Sequence, residues 1–283
     1  MATGAKLREL MAKGTVVAPF VYDGFMARMA TTVGFDAIYH SGFGNSASWG
    51  FPDVGLLTLS EMTDKIRILS ASTDLPIISD ADTGYGSYAN VIRTVKEYER
   101  AGAGALHIED QVWPKSCGFL GNKRVIDKKE AVSKIKAAVD ARTSDKDLII
   151  IARTDALTVN GWEDVEERVN SFMEAGADMV FVDGIRTLEI MMEYYKRLSR
   201  FPLLLNDASL FPLKEIEAIG SFSLIIHPGM INHCWNEMEK DLRALKDEGI
   251  SLCKENSLLL LKHVANIMGA EEYLKLDEHY KNL

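Results

Sequence analysis

Acidic residues in this sequence fall repeatedly just after short apolar runs. The segment "ISDADTGYG" places Asp80 and Asp82 there, "HIED" places Glu109 and Asp110, "ARTDA" places Arg153 and Asp155, and "FVDGIR" places Asp183. Asn206 and Asp207 follow another run, and "YHSGFG" sets Tyr39, Ser41 and Gly42 in the same relation to yet another. If the runs are strands whose ends share one mouth, so many carboxylates repel one another unless a cation neutralises them. An all-oxygen donor set selects a hard divalent ion, Mg2+ first and Mn2+ as its substitute. No Cys/His spacing of a zinc site occurs. Mg2+ keeps waters and takes one or two protein carboxylates, so the direct ligand is Asp80 or Asp82, with Glu109 bound directly or through water. Strand alternation would send the side chains of Asp80 and Asp82 to the same side. Any single acid could instead cap a helix or pair with a lysine. That reading serves for Asp110, Asp155 and Asp207, whereas Asp80, Asp82 and Glu109 together point to a metal.

A second chemical feature follows at once. "DQVWPKSCGFLGNKRV" (110–125) sets Cys117 in a glycine-containing, cationic loop, with Lys115, Lys123 and Arg124 nearby. A thiol beside cations has a lowered pKa, and on a loop able to close over a site it can serve as a general acid. A lone cysteine is more often a small buried hydrophobe. That description suits Cys234 and Cys253, and it suits Cys117 badly because its loop offers little apolar surrounding.

The elements that must position these groups are legible as an alternation. Eight runs rich in Val, Ile and Leu occur at 15–22, 36–40, 75–79, 105–108, 148–152, 179–182, 202–205 and 223–227. Continuous apolar runs of this length suit strands buried on both faces of a parallel sheet. Amphipathic stretches such as 87–103, 128–143 and 162–178 lie between them, and the "AGA" endings at 101–103 and 175–177 read as glycine helix stops. The alternation predicts an α/β fold, a (β/α)8 TIM-type barrel over residues 1–230, with chemistry at the C-terminal ends of its strands. A doubly wound sheet is the rival, but "VYDGFMARM" is a poor match to its glycine-rich phosphate turn. Residues 231–283 read as two or three further helices, and 255–269 is too apolar to stand alone in water, so it packs on the barrel or on a neighbouring subunit.

A net charge of −9 argues against nucleic acid or an acidic membrane surface as the main partner. Three scattered cysteines form no disulfide framework, the N-terminus lacks an apolar signal core, and no run approaches the ~20 apolar residues of a membrane span. A cytoplasmic protein is expected.

Taken together, "ISDADTGYG", "TVKEYERAGAGALHIEDQ", "PKSCG", "GNKRV", "IIARTDAL" and "YHSGFGNSASWGFPDVGLLTLSEM" resemble the isocitrate lyase and phosphoenolpyruvate mutase superfamily. The likeness runs from about residue 6 to 230 and is nearest the branch of methylisocitrate lyase, dimethylmalate lyase, oxaloacetate hydrolase and carboxyphosphonoenolpyruvate mutase. The resemblance implies a barrel whose eighth helix is swapped between subunits of a homotetramer. It implies Mg2+ at Asp80, Asp82 and Glu109, with Asp53 of "GFPDVG" supporting metal-bound water. It implies that Ser41 and Gly42 donate to a 2-oxo carboxylate, that Arg153 is the strand-five arginine, and that Cys117 and Gly118 belong to a gating loop whose cysteine is the acid in the lyases.

Several substrate-facing positions depart from the family pattern. Phe119 stands where a histidine is usual, and Ser116 replaces a basic residue. An apolar substrate group, or a smaller substrate, would then replace a carboxylate contact. Asp183 stands for a glutamate, Asn206 remains without the glutamate and glycine that normally follow, and "HPG" brings His227 to the end of strand eight. The expected activity is Mg2+-dependent cleavage of a C–C bond in a small 2-hydroxy or 2-oxo di- or tricarboxylate, with Tyr39 and Asp183 as candidates for the base. Phosphonomutase chemistry, oxaloacetate hydrolysis or decarboxylation, and non-catalytic dicarboxylate binding are the alternatives.

Overall fold

A computed structural model describes residues 4–116, 123–143, 148–253 and 257–283. Among them, eight strands pair in parallel in chain order and close into a barrel: β1 (Val16–Val21), β2 (Ile38–His40), β3 (Ile77–Asp80), β4 (Ala105–Glu109), β5 (Ile149–Thr154), β6 (Met179–Val182), β7 (Leu203–Asn206) and β8 (Leu224–His227). β8 closes on β1, with Val16 opposite Leu224 and Pro19 opposite His227. The helices are α1 (Gly4–Lys13), α2 (Gly24–Val33), α3 (Gly42–Ser48), α4 (Leu59–Ser72), α5 (Tyr88–Ala101), α6 (Lys128–Ala141), α7 (Leu157–Asn160), α8 (Trp162–Glu174), α9 (Leu188–Leu198), α10 (Leu213–Ile219), α11 (Gly229–Glu248), α12 (Ser257–Ile267) and α13 (Ala270–Lys281). All eight apolar runs became strands, and the fold is the expected TIM-type barrel.

The reason is visible in β5. Ile149, Ile150 and Ile151 are all buried, because one face fills the barrel and the other lies under the helices. Each such side chain contributes about 1.5–3 kcal/mol on leaving water. Local signals end the helices where the sequence suggested. Gly102 ends α5 in the left-handed conformation, at φ 103°, and α4 opens on a capping box between Thr58 and Glu61.

The chain beyond β8 forms α11, α12 and α13. Ile231 on α11 is buried against the barrel. Leu259 and Leu261 on α12 and Leu274 on α13 are each more than 60% exposed, at 66%, 64% and 65%. Cys234 and Cys253 are exposed as well, which corrects the expectation that they are buried hydrophobes. Both belong to this outer helical segment, where a single chain supplies no covering layer. Among the described residues no helix is long and apolar enough to cross a membrane.

Candidate active site

The C-terminal ends of the strands form a cavity of ≈ 260 Å³. Its lining includes Tyr39, Ser41, Asp53, Asp80, Arg153, Asp183 and Asn206, together with Lys115 and Phe181. Eight strand ends converging on one rim bring these distant residues together. Ser41 caps α3, its Oγ accepting from Gly44 N at 3.0 Å. Gly42 lies so close to β3 that a Cβ there would meet Asp80 Oδ2 at 2.5 Å, so glycine is required for the approach.

Asp80 ends β3, but Asp82 does not continue the strand. Its φ of +45° is left-handed, and its N–H donates to Asp80 Oδ1 at 2.9 Å. The backbone turn, rather than strand alternation, therefore brings the two carboxylates together. This changes the reason given from sequence while keeping the pair. A non-glycine residue held in this region costs about 1–3 kcal/mol and is characteristic of functional sites.

The acids are matched by cations from the chain itself. Lys115 Nζ pairs with Asp53 and lies 2.8 Å from Asp82 Oδ1. Arg153 Nη1 lies 3.0 Å from Glu109 Oε2, and its Nε donates to Asp155 Oδ2 at 2.9 Å. Lys123 joins Asp155 to Asp183. Lys115 and Lys123 thus spend their charge on buried carboxylates, and Arg124 is exposed. Their expected part in lowering a thiol pKa gives way to this role. Cys117 and Gly118 lie outside the described residues. The chain on either side of them is fixed: Gln111 and Val125 form an antiparallel bridge, and the Gln111 amide accepts from Ser116 N at 3.1 Å while donating to Ser116 O at 3.0 Å.

Asp110 and Asp207 take the structural parts expected of them. Asp110 accepts from Thr154 Oγ1 and Asp155 N and pairs with Arg168 Nη1 at 3.2 Å. Asp207 caps its loop by accepting from Phe211 N at 3.0 Å, and His227 Nε2 faces it at 3.6 Å. His227 is not among the residues lining the cavity.

Burial opposes ionisation throughout the site. Asp82 is pushed up to about 6 by burial and by Asp80, against the pull of Lys115. Burial holds Glu109 well above the usual carboxylate range despite Arg153. Against its burial, Asp155 is held below the usual carboxylate range by Arg153 and Lys123, and Asp80 is lowered as well. Burial works against it too, but its charged neighbours and the Asp82 N–H bring it down to about 2. Burial lowers His107 to about 4, so that imidazole is neutral at pH 7 and Lys115 and Arg153 carry the effect on Asp80. Tyr39 OH lies 2.8 Å from His107 Nε2, and burial followed by Asp80 raises the phenol well above its ordinary value. Tyr39 is therefore a hydrogen-bond donor at neutral pH.

The donor chemistry fits a hard divalent ion. Asp82 Oδ1 and Glu109 Oε1 are buried without a hydrogen-bond partner, the Lys115 contact being an ion pair rather than an aligned hydrogen bond. Among the described residues no three His, Cys, Asp or Glu side chains already stand in a metal-holding cluster, because Lys115 and Arg153 lie between the acids. Asn206 Oδ1 is likewise buried and without a hydrogen-bond partner at the cavity wall.

Two residues were missed from sequence. His107 sits two positions before Glu109, and Phe181 two before Asp183, so strand alternation already put each on the site's face. Phe181 lies 4.9 Å under the Arg153 guanidinium and edge-on to His107, fixing the arginine by stacking.

A closed parallel barrel with charged side chains gathered at the C-terminal mouth is the architecture of a barrel enzyme. Residues 7–246 match the family model described as phosphoenolpyruvate phosphomutase. The chain is 38% identical over 287 residues to 2,3-dimethylmalate lyase of Eubacterium barkeri, covering 99% of each. It is 47% identical over 280 residues to 2-methylisocitrate lyase of Aeropyrum pernix, covering 97% of this chain and 90% of that protein. The solved structure of oxaloacetate acetylhydrolase with the inhibitor 3,3-difluorooxalacetate superposes with a TM-score of 0.90 at 32% identity, covering 98% of this chain and 97% of that one. The chain belongs to the phosphoenolpyruvate phosphomutase family of the isocitrate lyase superfamily, and it is an enzyme of lyase or mutase type.

Proposed function

We propose that the chain is a Mg2+-dependent C–C lyase that splits a small 2-hydroxy carboxylate into a 2-oxo acid and a second carboxylic acid. The observation that carries this is the buried acid set Asp80, Asp82 and Glu109, in which, among the described residues, Glu109 Oε1 has no hydrogen-bond partner and Asp82 Oδ1 meets only the Lys115 ammonium. Asp80, Asp82 and Glu109 would hold the ion, with Asp53 supporting its waters. When bound, the ion supplies a positive charge that neutralises oxygens gaining charge in the transition state.

The residues of the chain do the rest. Ser41 and the Gly42 backbone orient one substrate carboxylate, and Arg153 and Asn206 the other. Tyr39 is held protonated and serves as a hydrogen-bond donor, and Asp183 at the cavity wall is the base in this reading. The base removes the proton of the C2 hydroxyl and C2 becomes a ketone. The C2–C3 bond breaks, with its electron pair left on C3 and delocalised into the adjoining carboxylate. The Cys117 thiol then gives its proton to C3, so one proton leaves the substrate and one enters it. The relatives named as 2,3-dimethylmalate lyase and 2-methylisocitrate lyase support C–C chemistry. Assembly of copies through the exposed leucines of α12 and α13, and residence in the cytoplasm, belong to the same proposal.

A ketone-detecting assay across 2,3-dimethylmalate, 2-methylisocitrate and citramalate, with Mg2+ and with chelator, and loss of the ketone from oxaloacetate followed separately, tests the reading. Metal-dependent release of a 2-oxo acid is expected. Release from no hydroxy acid, with phosphorus NMR showing conversion of a phosphonate, would replace it by phosphonomutase chemistry.

A further inference from the structure

Asp80 and Asp82 sit on a segment, residues 80–84 ("DADTG"), in which every carbonyl has a fixed donor. Asp80 O accepts from Tyr98 OH at 2.8 Å, Ala81 O from Gly84 N at 2.8 Å, and Asp82 O from Glu109 N at 2.9 Å. Thr83 O accepts from Lys134 Nζ at 3.2 Å, and Gly84 O from Thr94 Oγ1 at 3.2 Å. Three of these donors are side chains of the outer helices, Thr94 and Tyr98 on α5 and Lys134 on α6. Thr94 and Tyr98 are fully buried, and Lys134 is only 8% exposed. Tyr98 spends its hydroxyl proton on Asp80 O, so Tyr85 OH, 3.0 Å away, donates to Tyr98 in turn. The segment also leans directly on α5: a Cβ at Gly84 would meet Val91 Cγ2 at 2.5 Å.

Packing alone does not account for this strap. Asp82 and Tyr85 are non-glycine residues in left-handed backbone, at φ +45° and +59°. Such residues persist only where their surroundings over-determine them. Lys134 is a buried ammonium whose partner on the segment is a neutral carbonyl. Glu130, the acid that acts on it, is exposed on the same helix, and burial lowers the lysine pKa despite it. A buried charge paired this weakly costs stability that an apolar side chain would not. What the lysine fixes is the peptide just after Asp82. We infer that Tyr98, Thr94 and Lys134 are positioning residues for the acid set: from α5 and α6 they hold the turn that brings the Asp80 and Asp82 carboxylates together to receive a divalent ion. The inference rests on the metal reading above and extends it to residues outside the mouth, since none of the three lines the cavity. They act through the backbone, and the bond from Glu109 N to Asp82 O carries the same constraint to the third acid.

Titration calorimetry of the full chain with MgCl2 reads the effect without any substrate. Groups that orient metal ligands from behind typically change metal affinity by about 10–100-fold when lost. Tyr98→Phe removes one hydroxyl and keeps the ring, and the Mg2+ Kd should rise by about tenfold or more. Thr94→Val and Lys134→Met should act in the same direction, and Lys134→Arg, which keeps a charged donor, should restore most of the affinity. Tyr194→Phe is the matched control. Tyr194 is also fully buried and donates to strand carbonyls, Leu204 O at 3.0 Å and Val180 O at 3.3 Å, but these belong to β6 and β7 and not to the acid-bearing turn. Its loss should lower the melting temperature without moving the Mg2+ Kd. An unchanged Kd in Tyr98→Phe, or an equal loss of affinity in Tyr194→Phe, would overturn the inference while leaving the metal reading intact. Tyr98→Phe decides the matter if Lys134→Met fails to fold. A parent chain that takes up no Mg2+ would overturn the metal reading and this inference with it.

Discussion

Lys115→Met deletes the ammonium that joins Asp53 to Asp82. Removing one member of a buried ion pair costs about 3–5 kcal/mol, because the partner is left uncompensated. Asp82 already titrates near about 6, so without the lysine it takes up a proton at pH 7 instead of standing as a bare charge. That relief places the loss at the lower end, about 3 kcal/mol, or roughly 6–10 °C in melting temperature. The sign with pH follows from the raised folded pKa. The unfolded carboxyl binds its proton later than the folded one as pH falls, so the variant regains stability from pH 8 to pH 5 and the gap to the parent narrows. A divalent ion supplies the lost charge. At about a hundred times its Kd it adds about 2.7 kcal/mol, and it should stabilise Lys115→Met more than the parent, where the lysine shares the same oxygen. Calorimetric melting of both proteins in chelator and in Mg2+, at pH 5 and pH 8, measures all of this. A variant that melts within about 1 °C of the parent without metal, or equal Mg2+ stabilisation of the two, would refute the assignment of Lys115 as the neutralising charge.

Further predictions concern separate parts of the site. Cys117→Ala and Cys117→Ser should each lower kcat by about 100-fold or more while calorimetric Mg2+ affinity stays at the parent's value; an unchanged kcat in both would remove the thiol from the reaction. Arg168→Met strips the buried Asp110 of its guanidinium and should cost about 3–5 kcal/mol in urea unfolding at pH 7. That loss should shrink at pH 5, because Asp110, raised by burial and by Asp155 to about 6, then carries a proton. Burial lowers His40 from 6.5 to about 4, with its Nδ1 held 2.7 Å from Ser79 Oγ. The unfolded chain therefore binds that proton first, and stability present above pH 6.5 is lost as pH falls toward 4, by up to about 3 kcal/mol. His40→Gln should flatten this part of the stability–pH curve, and an unchanged slope would contradict it.

The barrel was legible because strands buried on both faces are written as continuous apolar runs, and "LIIIA" needs no partner sequence to be recognised. Asp80, Glu109, Arg153 and Asp183 were legible for the same reason, since a residue at the end of such a run must reach the rim. Asp82 was found for an incomplete reason: its left-handed backbone depends on the turn after β3, which alternation does not encode. The pairing of Lys115 with Asp53 and of Lys123 with Asp183 was not legible. These contacts span 62 and 60 residues and depend on where a loop folds over the mouth. The exposure of Cys234 and Cys253 was misread because one chain's helical tail carries apolar residues without burying them.

The most direct test of the account is anomalous diffraction from crystals grown with Mn2+ and oxalate. The account predicts a manganese peak about 2 Å from a carboxylate oxygen of Asp80 or Asp82, with Glu109 bound directly or through one water, and Lys115 withdrawn from or sharing the Asp82 carboxylate. Saturating Mn2+ with no peak at that mouth, or a peak held by other residues, would contradict it.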